Sequence, residues 1–189
     1  VGAINNGLEL MADEKDPAMR QRCLELLEQS ARISADKLKF FRLAFGAAGG
    51  FGDLVDSREA KTAIEGLFSA NGRITIGWMV DAPSLPKPAI KVLLNLAMIA
   101  GDALVRGGQL DIGAEATQGR TEIVIRGEGP RIVLDPDLRK ALVGEMDGTI
   151  APRAAAAWLA HCIARDASGG IQVSSPDEAF LMFGATLAG

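Results

Sequence analysis

The 189-residue chain is 48% hydrophobic and 23% charged, the balance of an ordinary folded protein long enough to bury a core. A net charge of −4, with no lysine- or arginine-rich run, argues against nucleic acid as a partner, because phosphate backbones call for a cationic surface. His161, Cys23 and Cys162 are too few and too scattered for a zinc site, and the cysteines read as buried reduced thiols.

Ile4, Leu8 and Met11 fall at i, i+4 and i+7, so an amphipathic helix is already under way at Val1 and runs to about residue 12. The stretch "DEKDP" then predicts a polar turn, with Asp16 as cap and Pro17 in the first position of a second helix over 17–44. That helix carries two apolar stripes. Met19, Cys23, Leu26 and Ile33 form one; Leu24, Leu27, Ala31, Leu38, Phe41 and Phe45 form the other. A helix packed on one partner needs one seam, so two seams imply two neighbours. A second copy of the hairpin, giving an intermolecular four-helix bundle and a homodimer, supplies the missing neighbour economically. Packing of the second seam on the rest of the same chain is the alternative. Gly46, Gly49, Gly50 and Gly52 end the helix and place a domain boundary, dividing residues 1–50 from 51–189.

Beyond the boundary, residues 57–69 predict a short helix capped by Ser57, and "RITIGWMV" alternates as a strand. Residues 87–106 read as a long buried helix stopped by Gly107 and Gly108; its Lys91, Asn95 and Asp102 rule against a membrane span. With no signal peptide evident, the expected location is the cytoplasm. "QLDIGAEAT" and "RTEIVIRG" predict a hairpin turning at Gln118-Gly119, followed by a short strand over 131–135 and a short helix over 136–144. A helix over 151–168 is stopped by Gly169-Gly170, and "GIQVSS" and "EAFLMFGATL" close the chain as an antiparallel strand pair. Strands grouped with helices between them predict an α+β sandwich, a sheet with helices on one face.

"VGAINNGLEL" at 1–10 and "SADKLKFFRLAFG" at 34–46 resemble the ChpT family of bacterial histidine phosphotransferases. The resemblance implies a dimeric helical hairpin followed by a histidine-kinase-ATPase-like α/β sandwich. It implies a phosphoacceptor histidine just upstream of Val1, so that no residue of this chain is the phosphoacceptor; His161 lies on a different helix of the second domain. Beside that histidine the expected docking face is Ile4, Asn5, Leu8 and Glu9 of the first helix with Leu27, Ser30, Ala31 and Ser34 of the second. Its implied partners are receiver domains: that of a CckA-like hybrid histidine kinase as donor, those of CtrA-like and CpdR-like response regulators as acceptors.

The same resemblance allows the nucleotide boxes of the kinases to be compared with this chain. Their magnesium-binding Asn-Leu-x-x-Asn aligns with residues 95–99, where Ile99 has no oxygen for a hard cation. Their adenine-reading Asp aligns with Ile125, ahead of Gly127 and Gly129, and Ala155 to Ala157 replace the glycines of the phosphate loop. ATP and magnesium binding are therefore expected to be lost, and phosphate to arrive from another protein. Two other readings stay open: an ATP-dependent sensor histidine kinase, and a non-catalytic dimeric scaffold for receivers.

Overall fold

The computed structural model describes residues 2–46, 52–69, 72–117, 119–146 and 148–188. Helix α1 (Gly2–Asp13) and helix α2 (Pro17–Phe45) form the hairpin. Asp16 caps α2 as expected, accepting from the Ala18 amide at 3.1 Å with Pro17 behind it. Of the linker glycines, Gly49 and Gly50 lie outside the described residues.

A two-stranded sheet follows that the sequence did not announce: β1 (Leu54–Asp56) pairs antiparallel with β3 (Ser84–Pro86). Between them stand α3 (Ser57–Ser69) and β2 (Ile74–Val80). Ser57 does not cap α3. Its hydroxyl donates across to the Ala82 carbonyl at 2.5 Å, and Asp56 takes the capping role by accepting from the Arg58 amide at 2.8 Å. The remaining elements are α4 (Lys87–Ala103), β4 (Gly108–Thr117), β5 (Arg120–Glu128), α5 (Pro136–Val143), α6 (Ala155–Asp166), β6 (Gly170–Val173) and β7 (Leu181–Ala188).

The main sheet runs β2-β4-β5-β7-β6, with β2 parallel to β4 and every other pair antiparallel. Alternation is clean on β5 and β7: Ile123, Ile125, Phe183, Ala185 and Leu187 are buried, while Val124 and Met182 are exposed on the other face. Helices α4 and α6 cover the buried face, so the α+β sandwich with helices on one side is the observed architecture. Helix α4 is its centre, with Ile90, Leu93, Leu94, Leu96 and Ala97 fully buried.

Several boundaries differ from the sequence reading. No strand forms over 131–135; Ile132 makes only an isolated bridge to Leu104, because Pro130 and Pro136 bracket a segment too short to lay down a ladder. Helix α4 ends at Ala103, and Gly107 and Gly108 serve the turn beyond with φ of +79° and +148°. Helix α6 is entered through a 3₁₀ turn, Pro152–Ala154, and ends before Gly169; Ser168 takes the left-handed conformation at φ +51°. Cys23 and Cys162 are half-buried, not buried. None of the described helices is long and apolar enough to cross a membrane.

The stripes on α2 also resolve differently. Phe40, Leu43 and Ala44 are its buried residues, and none belongs to either predicted stripe. Phe40 continues Met19, Leu26 and Ile33 at seven-residue spacing, and its end of α2 packs on α3 and α4. Phe40, one heptad beyond Ile33, enters the chain's own core, while Met19 and Leu26 of the first stripe and most of the second stay outside it.

Candidate functional site

Helices α1 and α2 close on each other where side chains are small. A Cβ at Gly7 would come within 2.7 Å of Leu27 Cδ2, so the glycine lets the backbones approach. Ile4, Gly7 and Met11 are half-buried on α1; Cys23, Leu27, Ser30 and Ser34 are half-buried opposite them. The Ser34 hydroxyl is spent inside its own helix, donating to the Ser30 carbonyl at 2.8 Å. Of the residues expected to dock a partner, then, Ile4, Leu27, Ser30 and Ser34 lie along the seam between the helices. Asn5, Leu8, Glu9 and Ala31 are exposed beside it.

The seam on α2 outruns α1. With Gly7 against Leu27 in an antiparallel pair, the first turn of α1 lies level with about Ser34. The heptad positions continue through Leu38, Phe41 and Phe45, which are 71%, 42% and 41% exposed. On the side of the hairpin turned away from Phe40 and the core, Leu24, Ala31, Leu38 and Phe45 repeat every seven residues as a second open row.

In the α/β layer, Asn95 is fully buried and points at the hairpin. Its amide donates to the Lys91 carbonyl at 2.8 Å and to the Ala44 carbonyl of the last turn of α2 at 3.3 Å, satisfying one of the carbonyls a helix end leaves open. Its Oδ1 has no partner among the described residues. One turn on, Ile99 is buried and apolar. The residues of β5 that face the helices are Thr121, Ile123, Ile125 and Gly127, so no register of this strand brings a carboxylate inward; Glu122, Arg126 and Glu128 point the other way, the last two ion-paired. Ala154, Ala157, Ala160 and Ala164 are fully buried, and α6 packs directly on α4. Among the described residues no cluster of His, Cys, Asp or Glu could hold a metal ion.

His161 is part of the packing. Its ring stacks on Trp158 with centroids 5.2 Å apart, and its Nδ1 lies 3.2 Å from the Leu142 carbonyl. Nearby, Arg153 bonds Asp137 and pairs with Asp135; the hydrogen bond from Arg153 is the main reason the Asp137 carboxyl sits below its ordinary range.

A cleft of about 490 Å³ opens between α2, α3 and the C-terminal end of α4. Phe41, Leu67, Phe68, Met98 and Val105 supply apolar walls, and Lys37, Arg73 and Asp102 are its charged groups. The apolar walls partly desolvate the Asp102 carboxyl and push it above its ordinary range, although the side chain keeps access to water. No local motif marks this cleft, because its charged residues come from α2, from the approach to β2 and from α4.

The family described as "Histidine phosphotransferase C-terminal domain" matches residues 57–179. The protein phosphotransferase ChpT of Brucella abortus (strain 2308) is 35% identical over 136 residues, covering 72% of this chain and 63% of that protein. The chain thus matches less than two thirds of its relative's length. Among solved structures, a bacterial phosphotransferase superposes with a TM-score of 0.81 at 27% identity, over 97% of this chain and 86% of that one. The histidine kinase AdeS of Acinetobacter baumannii shares the fold at a TM-score of 0.52 and 17% identity, over 98% of this chain and 92% of that one.

Proposed function

The chain belongs to the histidine phosphotransferase family, and on that premise we propose that it relays a phosphoryl group between receiver domains of a bacterial phosphorelay without using ATP. The phosphoacceptor is a histidine in helical turns that precede Val1. The bare row Leu38, Phe41 and Phe45 supports this placement, since a helix continuing α1 would run along it. In the transfer, an imidazole nitrogen attacks the phosphorus of the donor's aspartyl phosphate. The P–N bond forms as the P–O bond breaks, the Asp carboxylate leaves, and the reverse step loads the acceptor's Asp. The receiver brings its own cation and lysine to neutralise the equatorial oxygens, so this protein supplies position.

Exposed Asn5, Leu8 and Glu9 offer the docking face, held rigid by the Ile4, Leu27, Ser30 and Ser34 seam. The donor is the receiver of a hybrid kinase and the acceptors are response regulators. A homodimer forms through the row Leu24, Ala31, Leu38 and Phe45 of two hairpins.

One observation carries the ATP-independent part: the fully buried alanines of α6 lie directly against α4, and Asn95 is engaged with α2. The residues do not suit a magnesium nucleotide, for Ile99 offers no oxygen and β5 turns no carboxylate inward. Radiolabel transfer with the full-length protein tests the reading. Label is expected to pass from a phosphorylated receiver to this protein, to vanish when the upstream histidine is replaced by Gln, and not to arrive from MgATP alone. Autophosphorylation from MgATP, or label retained without the histidine, would overturn it.

A further inference from the structure

Lys37 and Arg73 at the cleft between α2, α3 and α4 make no ion pair among the described residues. The adjoining turn adds Arg106, exposed next to Val105. Asp102 is the one carboxylate in the lining. Two apolar side chains, Phe41 and Val105, are 42% and 50% exposed at the same opening. Cations around an open apolar hollow suit an acidic segment that can insert an apolar side chain.

The place is as informative as the chemistry. Phe41 lines the cleft and also belongs to the row along which a continued α1 would run. Lys37 stands on the flank of α2 between that row and the core-facing Phe40. A protein brought up to a histidine ahead of Val1 therefore has this opening beside it.

We propose that the cleft seats an acidic loop of the receiver domain during phosphotransfer, with Lys37 and Arg73 pairing its carboxylates and Val105 receiving an apolar side chain. This rests on the phosphotransfer reading above and gives the α/β layer a share in partner recognition. Lys37 and Arg73 are positioning residues: they touch the partner, not the reacting atoms. Asp102 opposes the partner's charge, so its removal should act in the opposite direction to theirs.

The test uses the full-length protein and a phosphorylated receiver domain that exchanges phosphate with it. Initial rates are measured against receiver concentration at low and at physiological ionic strength. Lys37→Glu with Arg73→Glu is expected to raise KM about tenfold with kcat nearly unchanged, and to flatten its salt dependence. Asp102→Asn should lower KM, a gain that a misfolded variant cannot mimic. Charge reversals that leave KM and its salt slope unchanged would overturn the inference while transfer itself continues. So would an Asp102→Asn variant that weakens binding alongside them. If the wild-type protein exchanges phosphate with no receiver, the phosphotransfer reading falls and this inference with it.

Discussion

Helices α2 and α4 are both long, yet they are built for different surroundings. Of the 29 residues of α2 only Phe40, Leu43 and Ala44 are buried, whereas 12 of the 17 residues of α4 are. The sandwich around α4 completes its own core, with partners on every side of Leu93, Leu94 and Leu96. The hairpin does not: Leu8, Leu24, Leu26 and Leu38 remain in water, enough apolar surface to ask for a cover. The sandwich completes its own core, whereas the hairpin leaves apolar side chains exposed.

The contrast breaks most visibly on a pair of like substitutions. Leu94→Ala opens a cavity in a close-packed layer and should cost about 2–5 kcal/mol in urea unfolding. Leu24→Ala, on the exposed row beside the described part of α1, should stay within about 0.5 kcal/mol in dilute solution where the protein is monomeric. A comparable loss at Leu24 under those conditions would mean that its row is covered within the single chain.

Concentration sharpens the same comparison. If the row Leu24, Ala31, Leu38 and Phe45 pairs two hairpins, then a charge placed in it must be desolvated in the dimer. Leu38→Glu is expected to shift sedimentation equilibrium toward monomer by at least about tenfold in Kd, a cost typical of burying an unpaired charge. The midpoint of the sandwich's unfolding should hardly move. An unchanged sedimentation profile would remove this row from the interface.

How much was legible in the sequence follows the same line. The sandwich could be read because its signals are local: period-two alternation on β5 and β7, the unbroken apolar run of α4, and glycines at turns that need positive φ. The cap at Asp16 was equally plain. Ser57 misled because a hydroxyl at a helix start has a distant partner as easily as a local one, and Ala82 is 25 residues away. The β1–β3 pair escaped notice since three-residue strands carry no periodicity, and Pro86 masks the second. On α2 the apolar stripes do not say which neighbour they meet, and the three buried residues fall outside both; Phe40 and Phe41 are adjacent in sequence, one buried and one open. The candidate site was the least readable part. The docking residues were named from a motif, but the cleft joins Lys37, Arg73 and Asp102 from three separate segments, a pattern that only the fold assembles.

The smallest effect falls at the boundary between the two units, on Asp102. Its carboxyl is raised by partial burial, and although Lys37 and Arg73 line the same cleft, neither forms an ion pair with it. A folded-state pKa above the unfolded one means that the protonated form is favoured by folding. The contribution is fully present below the unfolded pKa and is lost as pH rises through the folded one, so at neutral pH the ionised Asp102 is a mild liability. Asp102→Asn removes the charge at all pH values. The variant should melt slightly higher than wild type at neutral pH, and the two curves should converge as pH falls through the carboxylate range. A wild type more stable than the variant at neutral pH would show instead that the cations of the cleft already hold Asp102 in its charged form. The hairpin and the sandwich would then be joined by an electrostatic clasp as well as by Phe40.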